Sequence, residues 1–403
     1  MSPDLVLTVL MALLFATSAM GALVGIYGLR RLERLADIEA DAGPSETPAP
    51  RVSVVVAARN EEEHLQETLE SLLAQDHQNL EVVVVNDRSS DRTGAIAEAA
   101  AARDGRVKVI HIDILPEGWF GKNHAVWRGM KQVAGDIALL TDGDVSFSPD
   151  SVARAVLHFE RQRLGHLAGL VKYEVPGIAT KATVIALGFF FVAAGRAWKV
   201  RDTKSPVFLG VGPFNLVRVS SYFAAGGHKA IRLDPNEDLM IGRLIKRTGF
   251  RSDVVRASPQ VRFRWYSSLG GLVRGLEKNA FGATDFRVGS VLLQTVAMLA
   301  ATVLPFLLLP VCLWLYGMDW PTVLAFGAVG ILWLCGVAAA KDQREPSPIG
   351  LCLPVGTVIL VYAMWRSTVV NIARGATWGG SLVPLSELRA HRREMLARSN
   401  GVS

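Results

Sequence analysis

The sequence predicts a mostly parallel, doubly wound α/β domain, held at a membrane by apolar helices on both of its flanks. In the polar block, residues 45–287, β-branched apolar runs alternate with helical stretches. Half of the 403 residues are hydrophobic and only 20% are charged, whereas a soluble domain carries about 25% charged residues. Long uncharged runs lie on either side of the polar block, at Leu5–Leu29, Val288–Met318, Trp320–Ala340 and Pro346–Trp365.

The first run is long enough to cross a bilayer, which takes about 20 apolar residues. A cleaved signal peptide would begin with basic residues and have a shorter apolar core. Here the only early charge is Asp4, and Arg30, Arg31 and Arg34 follow the run. The positive-inside rule then places the N-terminus outside and the next domain in the cytoplasm. Ala42–Pro50 is expected to be a linker of proline and small residues.

Beyond the linker, Val52–Val56 reads as a buried strand, and Glu61–Gln75 has helical spacing at Leu65, Leu69, Leu72 and Leu73. Val82–Val85 is the second strand, Asp91–Ala102 an alanine-rich helix, and Val107–Ile112 the third strand. Asn123–Val133 is a helix, Ile137–Leu140 the fourth strand, and Leu239–Thr248 a later helix. A βαβαβαβ order of this kind binds ligands at the carboxyl ends of its strands.

Ala182–Ala194 is apolar but short, and is flanked by Lys181 and by Arg196 and Lys199. It is expected to be buried or to lie at the membrane face, with basic residues placed to meet lipid head groups. The three late runs give about three crossings, with Pro305 and Pro310 kinking the first. Three crossings would leave Arg374, Arg389, Arg392, Arg393 and Arg398 outside, against the positive-inside rule. One late segment is therefore expected to be re-entrant or interfacial, and the sequence does not say which. The expected organisation is an anchor at 5–29, a cytoplasmic domain at 45–287, a membrane region at 288–371 and a basic tail at 372–403.

The 43 Lys and Arg against 37 Asp and Glu give a net charge of +6. Cys312, Cys335 and Cys352 all lie in apolar runs, and no CxxC occurs, which argues against a zinc or disulfide framework. Gly121-Lys122 lacks Walker spacing, and Gly210-Val211-Gly212 lacks the third glycine of a dinucleotide fingerprint, so neither an ATPase nor a nicotinamide enzyme is supported. No nucleic-acid partner is expected, and the oligomeric state stays open.

The strand ends carry polar, acidic loops: Ala58-Arg59-Asn60-Glu61, then Asn86-Asp87-Arg88-Ser89-Ser90-Asp91, then Thr141-Asp142-Gly143-Asp144. Helix capping explains Ser90 or Asp91. It does not explain Asp142 and Asp144, because Phe147 and Pro149 intervene before the next helix. Two carboxylates one residue apart suit a hard divalent cation, Mn2+ or Mg2+, whose remaining positions a diphosphate fills.

These motifs, from Val52-Ser53-Val54-Val55-Val56 through Asp142-Gly143-Asp144-Val145, resemble glycosyltransferase family 2 over residues 52 to about 285. They are most similar to its membrane-anchored, lipid-directed branch of ceramide glucosyltransferase-like, hopene-associated and carotenoid-ester enzymes. Gly118-Trp119-Phe120-Gly121-Lys122, Asn236-Glu237-Asp238-Leu239, Gly275-Leu276-Glu277-Lys278-Asn279 and Arg374-Gly375-Ala376-Thr377-Trp378-Gly379-Gly380 carry that closer likeness.

The resemblance implies a Rossmann-like, GT-A type catalytic domain and an inverting transfer from a nucleotide-diphosphate sugar, expected to be UDP-linked, to a membrane lipid acceptor at the cytoplasmic face of the cell (inner) membrane. It also implies roles. Asn60, Glu61, Asp87, Lys122 and Asp142 would bind the nucleotide sugar, Asp144 with Asp142 the metal, and Asp238 would be the general base. Glu237, Arg264 and Trp265 would lie on the acceptor side.

Two departures from the family pattern stand out. Gly143 replaces the more usual alanine, and Gln260 is one residue too far from Arg264-Trp265 for the motif of processive synthases. Competing readings are a surface Lys122, Glu237 and Asp238 as plain helix-start acids, Trp265 as an interface anchor, and His228 as a structural histidine or one that approaches the metal. Rival functions are a processive polysaccharide synthase and an inactive scaffold with this fold.

Overall fold

The computed structural model describes residues 3–39, 49–378 and 381–400. Most of the expected linker, residues 42–48, and Gly379 and Gly380 of the tail element lie outside the described residues. Numbered along the chain, the helices are α1 Pro3–Arg31, α2 Leu65–Leu73, α3 Thr93–Arg103, α4 Gly121–Met130, α5 Ser151–Arg161, α6 Ile178–Ala193, α7 Val219–Ala224 and α8 Gly227–Ala230. They continue with α9 Glu237–Arg247, α10 Leu269–Ala283, α11 Val288–Thr302, α12 Leu304–Tyr316, α13 Trp320–Asp342, α14 Leu353–Arg374 and α15 Leu385–Asn400. The strands are β1 Val52–Ala58, β2 Leu80–Asp87, β3 Val107–Ile112, β4 Ile137–Asp142, β5 Val145–Phe147 and β6 His166–Leu170. After these come β7 Lys172–Glu174, β8 Asn215–Arg218, β9 Ser252–Arg256, β10 Val261–Arg264, β11 Ala376–Trp378 and β12 Ser381–Val383.

The chain divides into two compact units. One is α/β and comprises Leu32–Glu174, Trp198–Trp265 and Asn371–Ser403. The other is helical and comprises Met1–Arg31, Val175–Ala197 and Tyr266–Val370.

In the α/β unit, valine-rich β1 and β2 are buried almost throughout, as strands covered on both faces must be. The main sheet runs β3-β2-β1-β4-β8-β6-β9. The four strands expected from the sequence form its parallel half. Beyond them the sheet is mixed, because β8 lies antiparallel between β4 and β6. Strands β5, β10 and β7 form a second, small sheet.

Two apolar cores cover the sheet. In one, Leu65, Leu69 and Leu72 of α2 pack on Val54, Val56 and Val82. In the other, Val126 and Met130 of α4 pack with Val55, Val83 and Val85. A Cβ at Gly129 would fall 2.5 Å from Val55 Cγ1, so α4 lies close against the sheet. The C-terminal helix α15 joins this second core through Met395. Beside it, Arg392 donates to Asp234 from Nε at 2.7 Å and from Nη2 at 2.9 Å, with both side chains buried.

In the helical unit, α1, α13 and the segment Ser347–Arg374 are long and apolar enough to cross a membrane. Helices α11 and α12 form a pair bent by 47°, as the two prolines anticipated. This arrangement gives one N-terminal and two to three C-terminal candidate spans. Helix α6 has 16 residues, about 24 Å against a hydrocarbon core of about 30 Å. Its Ala182, Ile185 and Ala186 are buried with Ala340 and Leu353 of the same unit.

Candidate active site at the carboxyl edge of the sheet

Parallel pairing brings the acidic loops together. Ala58 is in register with Asn86, and Ala57 with Asp142, so β1, β2 and β4 end level with one another. Asn60 takes up left-handed backbone, φ 56°, which asparagine tolerates better than most residues. Its Oδ1 accepts the Ser90 N–H at 2.9 Å, while the Glu61 N–H donates to Thr93 Oγ1 at 2.7 Å. The side chain of Asn60 thus ties the first loop to the second. Asp91 accepts from the Thr93 N–H at 3.0 Å, as a capping residue does.

Asp87 is buried at the end of β2 and receives a two-pronged donation from Arg88, at 2.8 and 3.0 Å. A Cβ on Gly121 would lie 2.5 Å from both Asp87 Oδ2 and Arg88 Nη2, so only glycine lets α4 start against this pair. Lys122 follows at once. Its Nζ lies 2.6 Å from Asp142 Oδ1 and 3.0 Å from Glu237 Oε1. Burial opposes the charge of Lys122, but Asp142, Glu237 and Asp238 together outweigh it and hold the amine protonated well above its ordinary range.

Glu237 and Asp238 open α9 side by side, yet their surroundings differ. Burial pushes the Glu237 carboxyl up, while Lys122 and His228 pull harder the other way, to about 2. His228 Nε2 lies 2.8 Å from Glu237 Oε2, and its Nδ1 lies 2.9 Å from the Tyr222 hydroxyl. The sequence left His228 between a structural role and a metal ligand. The structure makes it the buried brace of Glu237. Asp238 accepts the Gly212 N–H at 2.9 Å and the Leu239 N–H at 2.8 Å. Burial, then the neighbouring Glu237 charge, push Asp238 up to about 7 despite Lys122.

Gly212 stands where these groups converge. A Cβ there would meet Asp142 Oδ2 at 3.2 Å, Asp238 Oδ2 at 3.4 Å and Lys122 Nζ at 3.4 Å. A Cβ on Gly210 would collide with the Asp238 carbonyl. The two glycines that fail as a dinucleotide fingerprint therefore let the 210–212 loop approach the carboxylates closely.

On the other side of Asp142, charge is left uncompensated. The Glu61 side chain lies over Gly143, where a Cβ would come within 3.1 Å of its Cγ. Burial, then Asp142, push Glu61 up to about 7. Burial, then Asp142 and Glu61, push Asp144 up to about 8. Asp144 Oδ1 is buried without a hydrogen-bond partner. Among the described residues no three His, Cys, Asp or Glu side chains are grouped as metal ligands. Asp144 and Asp142 therefore fit a hard divalent cation only as an open site, completed by water and substrate oxygens.

The Arg264 N–H donates to the Asp144 carbonyl at 3.2 Å, while its guanidinium turns to other carboxylates. Arg264 pairs with Glu67 at 2.9 Å and approaches Glu174 at 3.8 Å. Trp265 lies against Tyr173, ring centroids 4.8 Å apart. Burial, then the charges of Asp238 and Asp142, push the Tyr173 hydroxyl up, which makes Tyr173 the link from Trp265 to the acidic site. Tyr173 carries no motif, and pairing of β7 with β10 alone brings it beside Trp265.

Residues 53–221 match the family model described as Glycosyl transferase family 2. Two curated relatives are each named 4,4'-diaponeurosporenoate glycosyltransferase. The one from Staphylococcus haemolyticus is 26% identical over 58% of this chain and 62% of its own length. The one from Staphylococcus aureus is 24% identical over 53% of this chain and 56% of its own length. The match therefore spans less than two thirds of the length of these relatives. Among solved structures, a mannosyltransferase from Pyrobaculum calidifontis in complex with GDP-Man and Mn2+ is similar with a TM-score of 0.53. It is 18% identical, over 89% of this chain and 99% of its own, a likeness in fold of the GT-A type.

Proposed function

Since residues 53–221 match the family 2 glycosyltransferase model, we propose that the chain is an inverting, metal-dependent glycosyltransferase. It moves a sugar from a nucleotide-diphosphate donor to a lipid acceptor at the cytoplasmic face of a membrane. One observation carries this reading: a carboxyl pushed to about 7, a protonated lysine and an orphaned carboxylate oxygen share one strand edge.

In this reading Asp87 receives the nucleoside, and Asp142 with Lys122 receives the ribose and diphosphate side. Lys122 offsets negative charge where the leaving group departs. Asp238 takes the proton of an acceptor hydroxyl, which attacks the anomeric carbon from the side opposite the diphosphate. The backbone N–H groups of Gly212 and Leu239 hold the Asp238 carboxylate in place while it does so. Asp144 and Asp142 would hold Mn2+ or Mg2+, which would supply Lewis-acid neutralisation of the diphosphate.

The names of the curated relatives favour a second acceptor class. A carboxylate such as diaponeurosporenoate arrives already ionised and needs no base. A donor panel of UDP- and GDP-sugars, offered with hydroxyl and carboxylate lipids and with or without Mn2+, tests the proposal. Expected is metal-dependent transfer of one sugar per lipid. Long polymers would favour a synthase, and neither transfer nor donor hydrolysis with any pair would favour an inactive scaffold.

A further inference from the structure

We infer that α14, although apolar and 22 residues long, begins and ends at one membrane face and does not cross, so the chain crosses three times: by α1, on the way from α11 through α12, and by α13.

The two ends of the helical unit can be told apart. The Tyr316 hydroxyl, at the end of α12, donates to Asp4 Oδ1 at the start of α1, at 2.9 Å. Met11 and Leu14 of α1 share a core with Cys312 of α12 and Ala325 of α13. A Cβ on Gly327 would fall 2.7 Å from the Phe15 ring, so α13 runs in the same direction as α1. Asp4, Tyr316 and Trp320 therefore mark one face. Arg30 and Arg31 of α1 and Lys341 of α13 mark the other, from which the chain enters the α/β unit at Leu32.

Helix α14 finds partners on the basic face and on α11. At its start, Ile349 and Leu353 pack on Ala340, next to Lys341, and on Ala182 and Ile185 of α6. Towards its end, Arg366 pairs with Glu277 at 2.5 Å, and Ser367 Oγ accepts the Phe281 N–H at 3.0 Å. Both partners lie on α10, which begins soon after the chain leaves the α/β unit at Trp265. Between these ends, the Thr302 hydroxyl donates to Thr357 Oγ1 at 3.0 Å, and Trp365 Nε1 donates to Thr295 Oγ1 at 2.9 Å. Helix α14 thus runs antiparallel to α11, and the partners near its two ends belong to the basic face.

Chain parity agrees independently. The chain leaves the α/β unit at Trp265 and rejoins it at Asn371. There the buried Arg392–Asp234 pair and Met395 build α15 into the polar fold. A folded polar unit occupies one side of a bilayer, so the intervening segment makes an even number of crossings. The bent pair goes out and α13 comes back. A crossing by α14 would strand α15 on the wrong side.

The exposed surface of α14 has the pattern of an interfacial helix. Val355, Val358, Tyr362, Val369 and Ile372, all about half exposed, fall on one stripe at helical spacing. Thr357, Ser367, Thr368 and Asn371 are buried on the other side. Arg366, itself exposed, stands on this stripe between Tyr362 and Val369, and a charge costs less at the headgroup boundary than at the bilayer centre.

Full-length protein with Cys312, Cys335 and Cys352 replaced by serine, and one fluorescent-labelled cysteine at Val355, Tyr362 or Val369, tests this in vesicles. Nitroxides near the lipid headgroup should quench all three labels more strongly than nitroxides at the chain ends. Deepest quenching at Tyr362, with shallow quenching at Val355 and Val369, overturns the inference. Protease-cleavable tags on an otherwise unaltered chain guard against misfolding of the cysteine variants. A tag at the N-terminus and one beside Asp319 should be cut from one side, and a C-terminal tag from the other. Cleavage of N- and C-terminal tags from the same side also overturns it.

Discussion

Glu237 and Asp238 are neighbours on one helix end, yet one carboxyl is held at about 2 and the other is pushed to about 7. The difference lies in their partners. Glu237 faces Lys122 and His228 within 3.0 Å, whereas Asp238 is given only backbone N–H donors and has Glu237 itself as a negative neighbour. The same contrast repeats at the end of β4, where Asp142 pairs with Lys122 while Asp144 Oδ1 is buried without a hydrogen-bond partner. One lysine balances half of the carboxylates, which leaves the other half to a proton, a metal or a substrate.

The largest expected effect breaks the Glu237–Asp238 contrast at its reactive member. Asp238→Asn should lower transfer to a hydroxyl lipid by about a hundredfold to ten-thousandfold, with donor affinity nearly unchanged. Steady-state rates beside donor calorimetry check both parts. Full activity in Asp238→Asn together with an inactive Glu237→Gln would move the base by one residue. Full activity toward a carboxylate lipid alone would identify an acceptor that arrives ionised.

Glu237→Gln attacks the balanced member instead. It leaves Lys122, a quarter exposed, with one counter-charge fewer; breaking a fully buried pair from one side costs about 3–5 kcal/mol, and solvent at the lysine makes the loss here smaller. Urea denaturation should show that loss, with a milder effect on the chemical step than Asp238→Asn. An unchanged midpoint would mean that solvent or Asp142 already neutralises the lysine.

The pH profile sharpens the comparison. A base at about 7 is protonated below that value. At saturating donor and metal, log kcat should rise by about one per pH unit on the acid side and level off above about 7. The limb belongs to Asp238 only if Asp238→Asn removes it.

The smallest effect is on thermal stability without metal. The Asp144 carboxyl is raised to about 8 in the fold, so the native state binds its proton more tightly than the unfolded chain does. The Asp144 contribution to stability is therefore full below the pKa of an unfolded carboxyl and is lost as pH rises through about 8. Asp144→Asn should raise the metal-free Tm at pH 8.5 by a few degrees. It should also abolish any further rise on adding Mn2+. A variant that still responds to Mn2+ would place the metal elsewhere.

How far the site was legible follows from what makes each part. The loops after β1, β2 and β4 could be read because strand runs end visibly and parallel pairing brings those ends together. Lys122 and Asp238 were found through resemblance, since neither spacing nor charge separates Lys122 from a surface lysine or Asp238 from Glu237. Tyr173 was missed because no pattern marks it, and Gly212 was set aside because its spacing fits no known phosphate loop. His228 was noted, but nothing in the sequence says that its ring meets Glu237.

The sequence by itself determined the parallel strands, the acidic edge they share and the apolar runs that make this a membrane chain, because alternation, run length and strand ends are local properties. Only the tertiary structure decided which carboxylates keep their protons, since that depends on distances from Lys122 and His228 set by residues far apart in the chain. It likewise decided the course of α14, whose length and hydropathy suit a span. What keeps that helix on one face is the company of α10 and α11 and the return of α15 to the polar core.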